Sequence, residues 1–220
     1  MGCVVITGAN RGIGLELCRH YVKAGYEVYG ACRKASKALG DSGANVIEGV
    51  DVSRAAGIGE LARTLDGKSI DILINNAGVL KSQSLGDIDY ADVERQFEVN
   101  AIGPLRVTES LLPNLRKGAK VALITSRMGS IADNTSGGSY GYRMSKAALN
   151  AAGMSLAHDL APRGVSVAIL HPGFVQTDMV GGAGDITPAV AAERLAQRIE
   201  DLSLETTGGF WHSNGERLPW

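Results

Sequence analysis

Cysteine is scarce: Cys3, Cys18 and Cys32 are odd in number and never spaced as CxxC. Neither a disulfide framework nor a zinc site follows, and a reducing, cytoplasmic setting fits. Runs of one charge are also missing, with 22 basic and 23 acidic residues leaving a formal net charge of −1. The chain therefore lacks the electrostatic footprint of a nucleic-acid binder or of a protein held to an anionic membrane. His20, His158, His171 and His212 have no metal-ligand spacing, so no metal is expected. The Met-Gly-Cys start has Ile6 where acylation wants Ser or Thr, and Cys3–Ile6 is too short for a signal segment. No repeat, linker or low-complexity tract interrupts the 220 residues, which read as one domain, 1–220, long enough to bury a substantial core.

What is present is an alternation of short apolar runs with amphipathic ones. Cys3–Thr7, Glu27–Cys32, Val46–Val50, Ile70–Asn75, Val121–Thr125, Val165–Leu170 and Gly209–His212 read as strands. Ile13 to Gly25, Arg54–Leu65, Tyr90–Leu112, Tyr142–Leu160 and Ala189–Ile199 carry helical spacing between them. Strands apolar throughout need both faces covered, which predicts an α/β fold with a doubly wound parallel sheet. Two glycine-rich segments, Arg127–Gly141 and Met179–Thr187, follow strands at their carboxyl ends, where open α/β sheets bind ligands.

Between the first strand and first helix stands Thr7-Gly8-Ala9-Asn10-Arg11-Gly12-Ile13-Gly14. Its glycines permit a tight turn and close approach to a pyrophosphate, and the helix N-terminus supplies N–H donors and a positive dipole. The spacing GxxxGxG differs from the GxGxxG of most two-domain dehydrogenases, and an ordinary strand–helix connection is the alternative. At the end of the second strand an acidic residue would accept from the ribose hydroxyls, whereas Cys32 and Arg33 stand there. Arg33 can pair bidentately with a 2′-phosphate and Arg11 can flank it, so NADP(H) is favoured over NAD(H). The alternative for both is a solvated surface arginine. Asp51 can accept from the adenine amino group while Val52 offers its backbone N–H; the alternative for Asp51 is a helix N-cap region residue. Asn75-Asn76-Ala77-Gly78 is small enough for a ribose to lie on its backbone. After the sixth strand come Pro172 and Gly173, with Val175 and Thr177 placed to hold the nicotinamide carboxamide.

Tyr142 and Lys146 are four apart and share a helix face. A phenol titrates near 10, so acid–base work at neutrality needs about 4 kcal/mol of help, which a Lys146 ammonium and an oxidised nicotinamide can supply. Ser126 directly follows a strand, where its hydroxyl can hydrogen-bond a substrate oxygen; Ser130 and Ser139 compete for that role. Pro104, lacking an N–H, frees the Asn100 carbonyl, which can hold a water beside Lys146; a tolerated kink is the alternative. No Ser-His-Asp order competes with this pair, so no acyl-enzyme is expected.

In this order the Thr7–Gly14 turn, Asn-Asn-Ala-Gly, Asn100, Ser126, Tyr142-x-x-x-Lys146 and Pro172-Gly173 resemble the short-chain dehydrogenase/reductase family through nearly the whole chain. Cys32-Arg33, Gly-Gly-Ser-Tyr-Gly-Tyr-Arg-Met-Ser-Lys and the Gly-Gly-Phe-Trp…Leu-Pro-Trp ending are similar to the C-factor and sniffer-like carbonyl reductases. The resemblance implies a seven-stranded Rossmann domain, Tyr142 as acid/base, a supporting Ser126, an Asn100–Lys146 proton relay and hydride exchange with a small carbonyl or alcohol. It also implies a homodimer or homotetramer built on the two long helices. Ser126 stands further before Tyr142 than is usual in the family, so the intervening loop must bulge. The short Met179–Thr187 segment predicts an open site for varied aldehydes and ketones. Two other functions compete: a C-factor-like signalling protein that binds NADP(H) with little turnover, and an NADP(H)-sensing regulator of transcription, against which Tyr142 and Lys146 argue.

Overall fold

The computed structural model describes residues 2–220. Seven strands form one all-parallel sheet: β1 (Cys3–Thr7), β2 (Glu27–Ala31), β3 (Asn45–Ile47), β4 (Ile70–Asn75), β5 (Leu115–Ile124), β6 (Ser166–His171) and β7 (Phe210–His212). Their order across the sheet is β3-β2-β1-β4-β5-β6-β7. The chain leaves β1 toward one edge and returns through β4 toward the other, which opens a crevice at their carboxyl ends.

Successive strand residues point to opposite faces, and both sets are apolar. Val5, Leu73, Leu123 and Ile169 enter one core; Val4, Ile6, Ile74 and Leu170 enter the other. Over the second face lie α1 (Gly12–Lys23) and α7 (Pro188–Glu200), packed on each other. The first face is covered by α3 (Ala55–Thr64), α5 (Gly103–Ser110) and α6 (Tyr140–Leu160), which contribute Leu61, Val107 and Leu149 to its core. Between β2 and β3 lies α2 (Lys37–Gly40), a single turn that the sequence pattern does not announce.

The expected helix Tyr90–Leu112 is three pieces: α4 (Tyr90–Phe97), a π-helical turn over Glu98–Ile102, and α5 ending at Ser110. Pro104 sits in the first turn of α5, where its missing N–H costs nothing, and the wider π turn absorbs the break. Other boundaries shift: β5 begins at Leu115 and α6 at Tyr140, while β3 is only Asn45–Ile47. The polar Arg116-Lys117-Gly118 stretch hides the start of β5, because it pairs near an exposed sheet end and needs no apolar faces.

The β1–α1 turn folds tightly on itself. A Cβ on Gly14 would meet the Gly8 carbonyl and lie 2.6 Å from Asn76 Nδ2. Backbone cannot yield there as a side-chain tip can, so Gly14→Ala is expected to cost about 2 kcal/mol or more in urea unfolding.

Candidate active site

A cleft of about 660 Å³ lies along the carboxyl ends of the strands. Of the residues singled out from sequence, Gly8, Asn10, Arg11, Gly12, Ile13, Arg33, Asp51, Val52, Asn76, Ala77, Gly78, Tyr142, Lys146, Pro172 and Thr177 line it. Gly14, Asn100, Ser126, Gly173 and Val175 stand behind or beside that lining.

The glycine turn is shaped for a close-lying ligand. Gly8 takes φ +67°, a conformation that favours glycine, and a Cβ there would lie 2.8 Å from Ala77 Cα. Thr7 Oγ1 accepts from the amides of Asn76 and Ala77, both at 3.1 Å, and Asn76 Nδ2 donates to the carbonyls of Thr7 (3.0 Å) and Gly8 (3.2 Å). Asn76 thus ties the two loops into one floor. Arg11 occupies the N-cap of α1 but its side chain caps nothing, and no acid stands in the first turn. The first amides of α1 therefore face the cleft as an anion cradle, which fits a pyrophosphate. The Arg11 guanidinium reaches across the opening to Asp178 at 2.9 Å, with both side chains exposed.

Where the cleft meets the carboxyl ends of β2 and β3, Arg33 is exposed and no acidic partner for it occurs among the described residues. Cys32 and Val50 line the same end. Asp51 Oδ1 accepts from Ser53 N (3.0 Å) and Ser53 Oγ (2.6 Å). Its Oδ2 faces Arg95 Nη2 at 3.5 Å. Partial burial works against the Asp51 charge, but the Ser53 bonds and Arg95 outweigh it and hold the carboxyl below its ordinary range.

At the other end, Lys146 is 4% exposed and its Nζ donates to the Ile124 carbonyl at 2.8 Å. Burial lowers its pKa to about 7. Tyr142, one turn earlier on α6, is pushed up to about 12 by burial, with the adjacent Ser126 hydroxyl pulling the other way. The protein's own surroundings therefore raise this phenol's pKa rather than lower it as expected. Asn100 is fully buried, and it acts in the structure through its side chain. Oδ1 accepts from Val79 N at 2.8 Å, and Nδ2 donates to Val79 O at 2.9 Å and to Ser145 Oγ at 3.0 Å. A Cβ on Gly78 would lie 3.3 Å from Asn100 Oδ1 and 3.8 Å from Lys146 Nζ, so the three positions meet.

Ser126 accepts from Met128 N at 3.1 Å, leaving its proton available to a ligand oxygen. The long loop after it does bulge, and it is anchored. Arg127 pairs with Asp133 (2.9 Å) and with Glu216 (2.6 Å), Ala132 N donates to Trp220 O (2.9 Å), and Arg143 Nη2 donates to Ser136 Oγ (2.8 Å). The other glycine-rich segment also folds on itself, with a bridge between Val175 and Ile186 and a 3-10 turn over Asp178–Val180. Sequence reasoning did not single out Arg95, Thr125, Gln176 or Asp178 as cleft residues. The last three adjoin positions it did name, whereas Arg95 is brought there only by the folding of a distant segment.

These features define an α/β protein with a cleft along the carboxyl ends of its strands, lined by a glycine turn, a tyrosine and a buried lysine. A family described as short chain dehydrogenase matches residues 2–186, and the chain belongs to that family. It is 42% identical, over 100% of both chains, to a 1-hydroxy-2-glutathionyl-2-methyl-3-butene dehydrogenase of Rhodococcus sp. (strain AD45). It is 54% identical to C-signal of Myxococcus xanthus over 69% of this chain and 93% of that one. The carbonyl reductase Sniffer of D. melanogaster superposes with a TM-score of 0.92 at 30% identity, covering 100% of both chains. An NADPH-bound carbonyl reductase from chicken fatty liver does so at 0.89 and 28%, covering 99% of this chain and 98% of that one. The protein is an oxidoreductase of the short-chain type.

The Lys146 pKa has a stability consequence. The unfolded chain keeps this proton up to the ordinary value of 10.5, whereas the native state releases it above about 7. Folding is penalised below 10.5, and this contribution improves as pH rises from 7 toward 10.5. Lys146→Met is expected to stabilise the fold by about 2 kcal/mol at pH 7 and by less at pH 9.5, read by urea unfolding at both.

Proposed function

We propose that this chain is an NADP(H)-dependent reductase of aldehydes or ketones, able to run toward alcohol oxidation, with Tyr142 as the acid/base. The observation that carries the reading is the buried Lys146 beside Tyr142 in a cleft that also holds Arg33, which no carboxylate among the described residues neutralises. The glycine turn and α1 hold the pyrophosphate; Arg33, with Arg11 once freed from Asp178, takes the 2′-phosphate. Asn76, Ala77 and Gly78 lie under a ribose, and Pro172, Gly173, Val175 and Thr177 frame the nicotinamide. The NADPH in the avian carbonyl reductase supports this choice of cofactor. Bound NADPH supplies the hydride.

Tyr142 gives its proton to the substrate oxygen as negative charge develops there, and Ser126 donates a hydrogen bond to the same oxygen. Lys146 holds the position from which Tyr142 is reloaded, and Asn100 fixes the helix turn that carries it. A phenol at about 12 is protonated at neutral pH, which suits reduction. Reduction is therefore favoured at low pH, and oxidation, which needs the phenolate, rises with pH. The name of the Rhodococcus relative widens the substrate class to alcohols bearing a glutathionyl group. The resemblance supports a cytoplasmic homodimer or homotetramer, and Tyr90 and Met144, 72% and 50% exposed on α4 and α6, leave apolar surface for pairing. The likeness to C-signal favours a second reading, a signalling protein that binds NADP(H) with little turnover.

Oxidation of NADPH against a panel of aldehydes and ketones tests both. Tyr142→Phe is expected to lower kcat by about 10²–10⁴, and Arg33→Gln to raise the NADPH KM on the order of tenfold while sparing NADH. NADPH bound tightly with no turnover on any carbonyl would favour the signalling reading.

A further inference from the structure

Arg95 belongs to no motif, yet it lines the adenine end of the cleft from α4, on a part of the chain remote from the nucleotide turns. Its Nη1 donates to Ser53 Oγ at 2.7 Å, and its Nη2 faces Asp51 Oδ2 at 3.5 Å. The same Ser53 Oγ donates to Asp51 Oδ1 at 2.6 Å. Arg95, Ser53 and Asp51 therefore form a closed ring in which each member fixes the next. Within it Oδ1 is occupied by two short bonds, whereas Oδ2 has one long contact and retains acceptor capacity toward the cleft. Beside it, the Val52 amide has no acceptor among the described residues. The pair offered to a ligand is thus one acceptor next to one donor.

We infer that Arg95 is a positioning residue for base selection: it locks Asp51 as an acceptor beside the Val52 donor, so the cleft takes a 6-amino purine and rejects a 6-oxo purine. This rests on the nucleotide-binding function proposed above. An adenine edge presents an amino donor and a ring-nitrogen acceptor, matching Oδ2 and the Val52 N–H. A hypoxanthine edge presents a carbonyl acceptor and a ring N–H donor, so both contacts reverse. Arg95 makes the mismatch costly, because a carboxylate held by a guanidinium neither takes up a proton to become a donor nor turns away.

The test is calorimetric titration of the folded, unliganded protein with NADP⁺ and with its hypoxanthine analogue, so no substrate is needed. The wild type should bind NADP⁺ on the order of tenfold or more tightly than the analogue, the scale set by leaving buried polar groups unpaired. Arg95→Gln should reduce that ratio by roughly threefold or more, and Arg95→Lys should restore most of it, since charge is kept. In an Asp51→Asn background the Arg95→Gln change should leave the ratio unmoved, an outcome that generalised loosening of the fold would not give. Thermal melts of each variant confirm a folded protein. A ratio unaffected by Arg95→Gln, or lowered equally with and without Asp51, overturns the inference while leaving nucleotide binding intact. Failure of the wild type to bind either nucleotide overturns both.

Discussion

The seat of Lys146 on the end of β5 is the contact on which the candidate site depends. An amine 4% exposed, with its pKa near 7, is costly to place, and among the described residues only the Ile124 carbonyl at 2.8 Å accepts from it. The helix can sit close enough for that because the turn after β5 is closed by Gly129, whose added Cβ would lie 2.8 Å from the Lys146 backbone. Thr125 contributes from the strand side, donating to Asn150 Oδ1 at 2.7 Å one turn further along α6. Strand end, turn and helix are thereby a single rigid unit, and Tyr142 inherits its position from that unit.

Asn100 completes this arrangement through its side chain. Its side chain grips both backbone groups of Val79 and the Ser145 hydroxyl, so it links the loop after β4 to α6. The π turn that contains it is the local cost, and the bonds it makes in the buried interior offset that cost. Asn76 does the equivalent work at the other end by joining the loops after β1 and β4. Two asparagines, each satisfying two or more polar groups, hold together the loops after β1 and β4 and the start of α6. Both ends of the cleft are rigid, and its outer rim is drawn by exposed pairs such as Arg11–Asp178, which contribute little to stability and separate readily.

Much of this was legible beforehand because it is local. The seven apolar strand segments, the glycine turn and the helical spacing of Tyr142 and Lys146 are written in neighbouring residues, and the family likeness added their order. Most of the cleft-lining positions follow from being the first residues past a strand end, so the topology alone delivers them. Less legible were the edges of elements: the π turn, the single-turn α2 and the polar start of β5 are decided by partners far along the chain.

The sequence by itself determined a parallel α/β sheet, the place of its crevice and the residue types gathered there, since periodicity of two and of 3.6 dictates which faces must be buried. Tertiary structure alone decided the electrostatic states and the cross-links. Lys146 loses its proton easily because surrounding strands and helices exclude water from it, and spacing carries no information about water. Arg95 meets Asp51 across 44 positions, Arg11 meets Asp178 across 167, and Arg127 meets Glu216 across 89. Such pairs are set by where the sheet delivers each loop, and no local pattern can encode a distance that exists only after the chain has closed.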